Sequence, residues 1–510
     1  MRERLGFAAY GVLATLLGVA AGHLVAAFTD PASSPVLAVG STVIDLTPTP
    51  LKEWAVRNFG TNDKPILIGS VVAGVLVLAA VAGLLTRRRR TVGATLLGGL
   101  VAVAGAAALH RPTAEITDVL PALVAGVVGI GALLFLVRLD GSRDGRDRPP
   151  RPAAASASRR GVLVGAGVIV VAAGVMGFAG RQIASARGRI KDFVLPRPAS
   201  PAPALPEGLE VTYPGIAPFR TPNGTFYRVD TRLTLPVIDL DTWTLTIDGD
   251  VEDEVTFTFD DLLGMALIER DITLTCVSND IGGPYVSATR FTGVRLTDLL
   301  DRAKVGGTAD QILSTDVDGM TISTPLDLAT DGRDAMIAIA MDGKPLPREH
   351  GYPARMVVPG LYGYVSACKW ITRITLTTYA ERSAYWTDRG WKTDAPIKLM
   401  SRIDTPRPLS EVKAGKTFIG GVAWHQHQGM SGVQVRVDGG EWRDATFGPD
   451  GGNDYWRQWY VEWDAGSAGP GSHLLAVRAL DADGEPQTPA RATPFPDGAT
   501  GVQSIVVTVV

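Results

Sequence analysis

Cys276 ends Thr273-Leu274-Thr275-Cys276, a β-branched run that leads into a glycine-rich turn, Gly282-Gly283-Pro284. A single thiol at the end of a rigid strand, beside a loop that lets backbone come close, can give one soft ligand to a metal centre. Zinc would need three or four protein ligands. A redox pair would need a nearby partner, and the other cysteine, Cys368, lies far along the chain. A second chemistry-bearing stretch runs from Pro345 through Arg348, His350 and Arg355 into the apolar Met356-Val357-Val358-Pro359-Gly360. It continues through Tyr362-Gly363-Tyr364-Val365-Ser366-Ala367-Cys368-Lys369-Trp370. Its guanidinium forks and ammonium, set between strands and glycine turns, match the oxygens of a phosphate. Phe226-Tyr227-Arg228-Val229-Asp230 is a third segment whose residue types spacing alone does not explain.

The elements that must position these groups occupy only part of the chain. At 510 residues it is too long for one ordinary domain, and a net charge of −3 gives no reason to expect nucleic acid. Apolar runs at Phe7–Phe28, Pro65–Leu85, Val92–Leu109, Leu120–Val137 and Gly161–Gly180 each approach the ~20 residues that cross a bilayer. No such run recurs after Arg181. Arg2 and Arg4, Arg87 to Arg90, and the linker holding Arg138, Arg143, Arg146, Arg148, Arg151, Arg159 and Arg160 carry the positive charge. Thr29–Lys64 and His110–Asp118 are poor in it. The positive-inside rule then puts the N-terminus inside and everything after Gly180 outside. Ser158-Arg159-Arg160-Gly161 also resembles a twin-arginine export signal, which here would stay as an anchor.

Pro196–Pro206 reads as an extended Pro/Ala/Ser spacer that lifts the soluble half away from the anchor. From Phe226 onward the chain shows strand alternation, as in Trp243-Thr244-Leu245-Thr246-Ile247, and helical patterns at Phe259–Leu267 and Leu296–Arg302 intervene, the mixture of an α+β domain up to about Lys398. From about Ser401 the pattern changes to strands at Val433–Val437, Tyr455–Trp463, His473–Ala479 and Val502–Val510, with no helix. That predicts a β-sandwich of immunoglobulin size.

The three chemistry-bearing segments, in this order, resemble the molybdopterin-binding domain of the sulfite oxidase family. Gly421-Val422-Ala423-Trp424-His425, Val433 to Trp442 and Trp456-Arg457-Gln458-Trp459 resemble that family's immunoglobulin-like dimerisation domain. The resemblance covers Thr221–Val510. Together with the apolar runs, which it does not cover, it divides the chain into a five-helix transmembrane region (1–180), a Pro/Ala-rich linker (181–220), the molybdopterin domain (221–400) and the sandwich (401–510). It implies a molybdenum–molybdopterin cofactor with Cys276 as the metal's thiolate ligand, a soft donor for the metal. Phe226, Tyr227, Arg228, Val229 and Asp230 would line the pterin, with Arg228 facing substrate. His350, Arg355, Ser366 and Lys369 would hold the pterin and its phosphate, and Asp316 would contact it too. The implied reaction is oxygen-atom transfer, with a separate electron-transfer protein as partner and a homodimer formed through the sandwich.

Two departures bear on substrate. The family's sulfite oxidases carry a tyrosine where Met320 precedes Ser323-Thr324-Pro325-Leu326. They also place arginine after their cysteine motif, where Asp280 follows Cys276-Val277-Ser278-Asn279. Fewer phenolic and cationic groups suit a small dianion less well, so a reductase of sulfoxides in exported proteins is the alternative. An inactive, membrane-tethered binding protein is the alternative of another class. Cys368 reads as a core residue. His425 and His427 alternate as if on one strand face, but without a third ligand for a metal. Asp316-Val317-Asp318-Gly319 lacks the distant glutamate of a calcium loop and reads as a turn. His23 and His110 sit near the outer ends of their spans, where haem ligation is the less favoured reading beside plain interfacial side chains.

Overall fold

The computed structural model describes residues 2–140, 154–191 and 193–510. They fall into two compact units, Met1–Arg189 with Thr231–Val237, and Ile190–Asp230 with Ile238–Val510. The first unit is helical: α1 (Arg2–Phe28), α2 (Pro35–Leu46), α3 (Thr49–Phe59), α4 (Asp63–Thr86), α5 (Arg90–Leu109), α6 (Leu120–Asp140) and α7 (Ala154–Arg187). Five helices, at Arg4–Phe28, Asp63–Thr86, Arg90–Leu109, Ile116–Asp140 and Arg160–Arg187, are long and apolar enough to cross a membrane. α1 is central, packing against α4, α6 and α7. A Cβ on Gly11 would strike the Ala79 carbonyl and one on Gly83 the Phe7 carbonyl, so only glycine lets α1 and α4 cross this closely. The loop expected at Thr29–Lys64 is built into α2 and α3. Pro35 opens α2 at its first turn, where a missing N–H costs nothing. Arg143, Arg146, Arg148 and Arg151 lie outside the described residues. His23 Nδ1 lies 3.2 Å from Ser34 Oγ.

The second unit begins with two five-stranded sheets. One has the order β2 (Val255–Thr258), β1 (Thr244–Gly249), β10 (Ile371–Thr377), β5 (Gln311–Asp316), β6 (Thr321–Pro325), with β1 and β10 parallel. The other runs β3 (Leu267–Thr275), β4 (Val286–Arg295), β7 (Met336–Met341), β8 (Lys344–Pro345), and β9 (Arg355–Val357) also pairs with β7. β7, Met-Ile-Ala-Ile-Ala-Met, is buried at every position, and one core continues over both sheets through Leu245, Ile247, Val294, Ile337 and Ile374. The helix expected at Phe259–Leu267 stops at Gly264. Thr258 and Asp261 form a capping box at its start, and Leu267 is already the first residue of β3. Leu296–Ala303 is helical as its leucine spacing predicts, burying Leu296, Leu299, Leu300 and Ala303.

The Pro/Ala/Ser stretch is not a free spacer. Ala199 N donates to Leu267 O at 2.8 Å and Glu269 N to Ser200 O at 2.9 Å, so it lies along the open edge of β3. That edge has backbone donors and acceptors to satisfy, and an extended segment satisfies them.

Beyond residue 400, β11 (Met400–Thr405), β13 (Lys416–Trp424), β17 (Arg457–Asp464) and β16 (Thr446–Phe447) form one sheet. β12 (Glu411–Val412), β19 (Gln503–Val509), β18 (Gly471–Asp481), β14 (Met430–Val437) and β15 (Arg443–Asp444) form the other. Ile419, Val433, Val435, Trp459, Val477 and Val507 fill the core they share. A four-residue helix, Ala465–Ala468, interrupts the otherwise all-strand pattern because Asp464 caps its first amides. β13 ends at Trp424, so His425 and His427 sit in a turn and not on one strand face. His425 Nδ1 meets Gly429 O at 3.2 Å, and His427 Nδ1 meets Asp454 Oδ1 at 3.3 Å. Among the described residues no cluster of three or more His, Cys, Asp or Glu forms a metal site.

Candidate active site

Cys276 follows the last residue of β3. Its amide donates to Tyr285 O at 3.0 Å, and Asn279 N donates back to Cys276 O at 3.0 Å. Asn279 Oδ1 accepts from Tyr285 N at 2.8 Å, which closes the loop from 276 to 285 on itself. Cys276 is 8% exposed, and neither it nor Cys368 is in a disulfide. Burial pushes the Cys276 pKa up, against hydrogen bonds from Ser278 and the positive charge of Lys369. A soft cation would ionise such a thiol, because metal binding and deprotonation are linked.

The cationic groups come from three places in the chain. Gly351 has φ +112°, and a Cβ there would lie 3.0 Å from Arg355 Cβ and 3.2 Å from Lys369 Cβ. Glycine at this turn therefore lets the two cation-bearing segments run side by side, with Arg355 and Lys369 bridged through their backbones. Lys369 Nζ donates to Asp230 Oδ2 at 2.9 Å and to Glu349 O at 3.2 Å. Arg228 Nε donates to the same carboxylate oxygen at 2.7 Å. Asp230 thus joins Arg228 to Lys369 across 139 positions of chain.

Arg355 is 4% exposed. Its Nη1 donates to His350 O at 3.1 Å, its Nε is buried with no partner, and burial lowers its pKa to about 10. Burial also brings Lys369 down to about 8, against the pull of Asp230. Asn223 Oδ1 is a second buried atom without a partner. Phe226 stacks on Tyr227 at 5.5 Å and meets His350 edge-on at 5.3 Å, while burial and Cys276 raise the Tyr227 phenol.

Of the residues singled out in the sequence, Cys276, Phe226, Tyr227, Arg228, Asp230, His350, Arg355 and Lys369 are joined by these contacts and charge effects. Val229 is 41% exposed. Ser366 Oγ donates to Leu361 O at 2.9 Å, a bond within its own turn. Asp316 Oδ1 accepts from Asp318 N and Met320 N at 2.9 and 3.0 Å, so this carboxylate shapes the β5–β6 turn. Tyr362, part of the second chemistry-bearing stretch but given no role by the resemblance, is 3% exposed, and burial raises its pKa, with smaller contributions from Asp497 and Cys276. A Cβ on its neighbour Gly363 would lie 3.7 Å from Tyr227 Oη.

These residues fit an anionic pterin cofactor. Arg228, Arg355 and Lys369 outweigh the carboxylate of Asp230, a buried guanidinium nitrogen and a buried amide oxygen lack partners, and a buried thiol lies within reach of the Lys369 charge. Buried charge without a counter-ion is costly, and a phosphate-bearing ligand removes that cost.

His350 gives this environment a pH signature. Burial, then the Arg355 charge, lowers its pKa to about 4, against the hydrogen bond with Asn223 O; Lys369 adds to the lowering and Glu349 opposes it. In the unfolded chain it titrates near 6.5. Between those values the unfolded chain binds the extra proton, so folding stability falls as pH drops from 6.5 toward 4 and is unaffected by this group above 6.5. Thermal melts of the full chain across this range will show that slope, and His350→Gln will flatten it. An identical slope in the variant would remove His350 as its cause.

Comparison with known proteins agrees with this chemistry. Residues 232–386 match the family model described as oxidoreductase molybdopterin binding domain. Mitochondrial sulfite oxidase of Homo sapiens is 28% identical over 324 residues, 54% of this chain and 58% of that protein. The Rattus norvegicus enzyme is 28% identical over 291 residues, 48% and 52%. The chain spans about half the length of these relatives. NAD(P)H nitrate reductase of Hordeum vulgare is 31% identical over 177 residues, 30% of this chain and 20% of that one. The crystal structure of the sulfane dehydrogenase SoxCD from Paracoccus pantotrophus shares the fold, with a TM-score of 0.50 at 24% identity over 57% of this chain and 81% of that chain. The cation cluster, the matched domain and the sulfite oxidase relatives identify a molybdopterin-binding oxidoreductase domain of sulfite-oxidase type at residues 232–386 of this chain.

Proposed function

We propose that the chain is a membrane-anchored molybdenum enzyme whose soluble unit works outside the membrane, transferring an oxygen atom to or from a small substrate. The observation that carries this reading is the buried Cys276 thiol within range of the Lys369 charge, with Lys369 and Arg228 both donating to the Asp230 carboxylate. Cys276 would hold the metal, and Arg355, Lys369 and His350 would hold the pterin and its phosphate. When bound, the cofactor supplies the two-electron oxygen-atom exchange. The chain's own groups orient and neutralise. Arg228, with 36% of its side chain exposed, is fixed by Asp230 yet reaches solvent, the position from which a guanidinium can align a substrate oxygen. Five apolar helices and the clustering of arginines on alternate loops support anchoring and an outward soluble unit. The two C-terminal sheets support an immunoglobulin-like domain and a homodimer through it. A separate protein would take or give the electrons.

Reduction of sulfoxides is the second reading. Asp280 is exposed and Met320 half-buried, where the sulfite oxidases carry arginine and tyrosine. A carboxylate at that place repels a dianion and tolerates a neutral sulfoxide. The full chain, made in a host that synthesises the cofactor, should hold molybdenum and turn over one of two substrates assayed side by side, sulfite or methionine sulfoxide. Preparations without molybdenum would sink the enzyme reading. Sulfite turnover alone would remove the second reading.

A further inference from the structure

The edge of β3 opposite β4 is closed by two segments distant in the chain. The 199–200 stretch covers its start, and loops of the C-terminal sandwich cover its end, next to Cys276. Every hydrogen-bonding group of Thr273 is held there. Its amide donates to Asp454 O at 2.9 Å, its hydroxyl accepts from Trp456 N at 2.9 Å, and its carbonyl accepts from Gln426 Nε2 at 3.3 Å. Gln426 Nε2 also donates to Thr275 Oγ1 at 3.0 Å, one residue before the thiol. Gln426 is 1% exposed and lies between the two histidines of the 425–427 turn; His427 is tied to Asp454, the residue whose carbonyl holds Thr273. The same turn backs the second chemistry-bearing segment. A Cβ on Gly360, φ +82°, would lie 2.8 Å from His427 Cβ and 3.4 Å from Gln426 O.

We propose that Gln426 is a positioning residue, through which the C-terminal sandwich fixes the strand end that presents the Cys276 sulfur. The sandwich then has a role at the metal site in addition to any dimer contact. A buried amide donating to two successive β3 positions on one face restrains both the twist and the slide of that end. A shift of about 1 Å is enough to spoil a metal-ligand geometry. The proposal rests on Cys276 being the metal ligand, so its test has one arm that does not depend on that.

Full-length chain made in a host lacking the cofactor is treated with iodoacetamide, and alkylation is followed at Cys276 and Cys368 separately by peptide mass. Gln426→Met keeps length and volume and removes the donors; Thr275→Val removes the partner from the other side. Thr275→Val, which loses one buried hydrogen bond, should speed Cys276 alkylation by roughly tenfold, and Gln426→Met, which loses two, by at least as much. Cys368, 1% exposed in the main core, should keep its wild-type rate. The double variant should be no faster than Gln426→Met alone, since that change already removes the bond to Thr275. In cofactor-loaded chain, Gln426→Met should change the molybdenum(V) resonance spectrum, a signal that mere loss of stability would not alter. Parallel acceleration at both cysteines, or none at Cys276, would overturn the proposal. So would additive effects of the two changes. Alkylation behaving as expected in a chain that never takes up molybdenum would uphold the positioning role and fail the metal reading alone.

Discussion

Cys276→Ser will leave the fold intact and lower turnover by roughly a hundredfold or more, beyond the loss usual for groups that only support a metal ligand. The reason is chemical. The Cys276 thiol is held neutral by burial, but Ser278 and Lys369 stabilise its anion, so it can ionise when a soft cation arrives. A serine hydroxyl in that place would neither ionise nor offer a soft donor. The change in volume is small and the strand hydrogen bonds are backbone ones, so the cost in stability should stay below about 1.5 kcal/mol. Turnover with sulfite and with methionine sulfoxide, molybdenum content and a thermal melt on the same preparation test this together. Turnover within a few-fold of wild type would remove Cys276 from the metal.

The second expectation has opposite signs in the two states of the protein. Arg355→Met removes a buried guanidinium whose Nε has no partner and whose Nη1 is bonded only to a backbone carbonyl. Methionine has similar length and no charge to desolvate. In chain made without the cofactor the substitution should be neutral or stabilising by about 1–4 kcal/mol, as when buried charge is replaced by apolar packing. In a host that makes the cofactor, the molybdenum-to-protein ratio should fall at least tenfold, because the guanidinium that answers the cofactor's anionic group is gone. Melting curves of the first preparation and metal analysis of the second are the measurements. A marked drop in melting temperature without cofactor would mean that Arg355 is a structural cation. Undiminished molybdenum would mean that it does not hold the ligand.

Much of the local structure was legible in the residues. Five apolar runs became five long helices, and the leucine spacing of 296–303 became an amphipathic helix. The Thr-Leu-Thr run did form a strand, as β-branched residues suit, and it ends at Thr275, where Cys276 and Asn279 close the chain into a loop with Tyr285. Where the reading failed, a tertiary partner overrode a local signal. Leu267 left its helix to begin β3, and the Pro/Ala/Ser stretch, extended as its composition suggests, is no free spacer but is held along the edge of β3. His425 and His427 alternate in sequence but follow the end of β13, so alternation there carries no common face.

By itself the sequence determined which groups could do chemistry: one soft thiol, a set of guanidinium, ammonium and imidazole groups, and glycines that let them approach. Side-chain type and near-neighbour spacing are local properties, and a linear reading recovers them. Only the tertiary structure decided that Asp230 joins Arg228 to Lys369, that Arg355 is buried with an unanswered nitrogen, and that Gln426 grips the strand carrying Cys276. Those pairings span more than a hundred positions each or depend on burial. They are fixed by which edges and faces meet when the two sheets and the sandwich close over a common core, and no periodicity in the chain encodes that meeting.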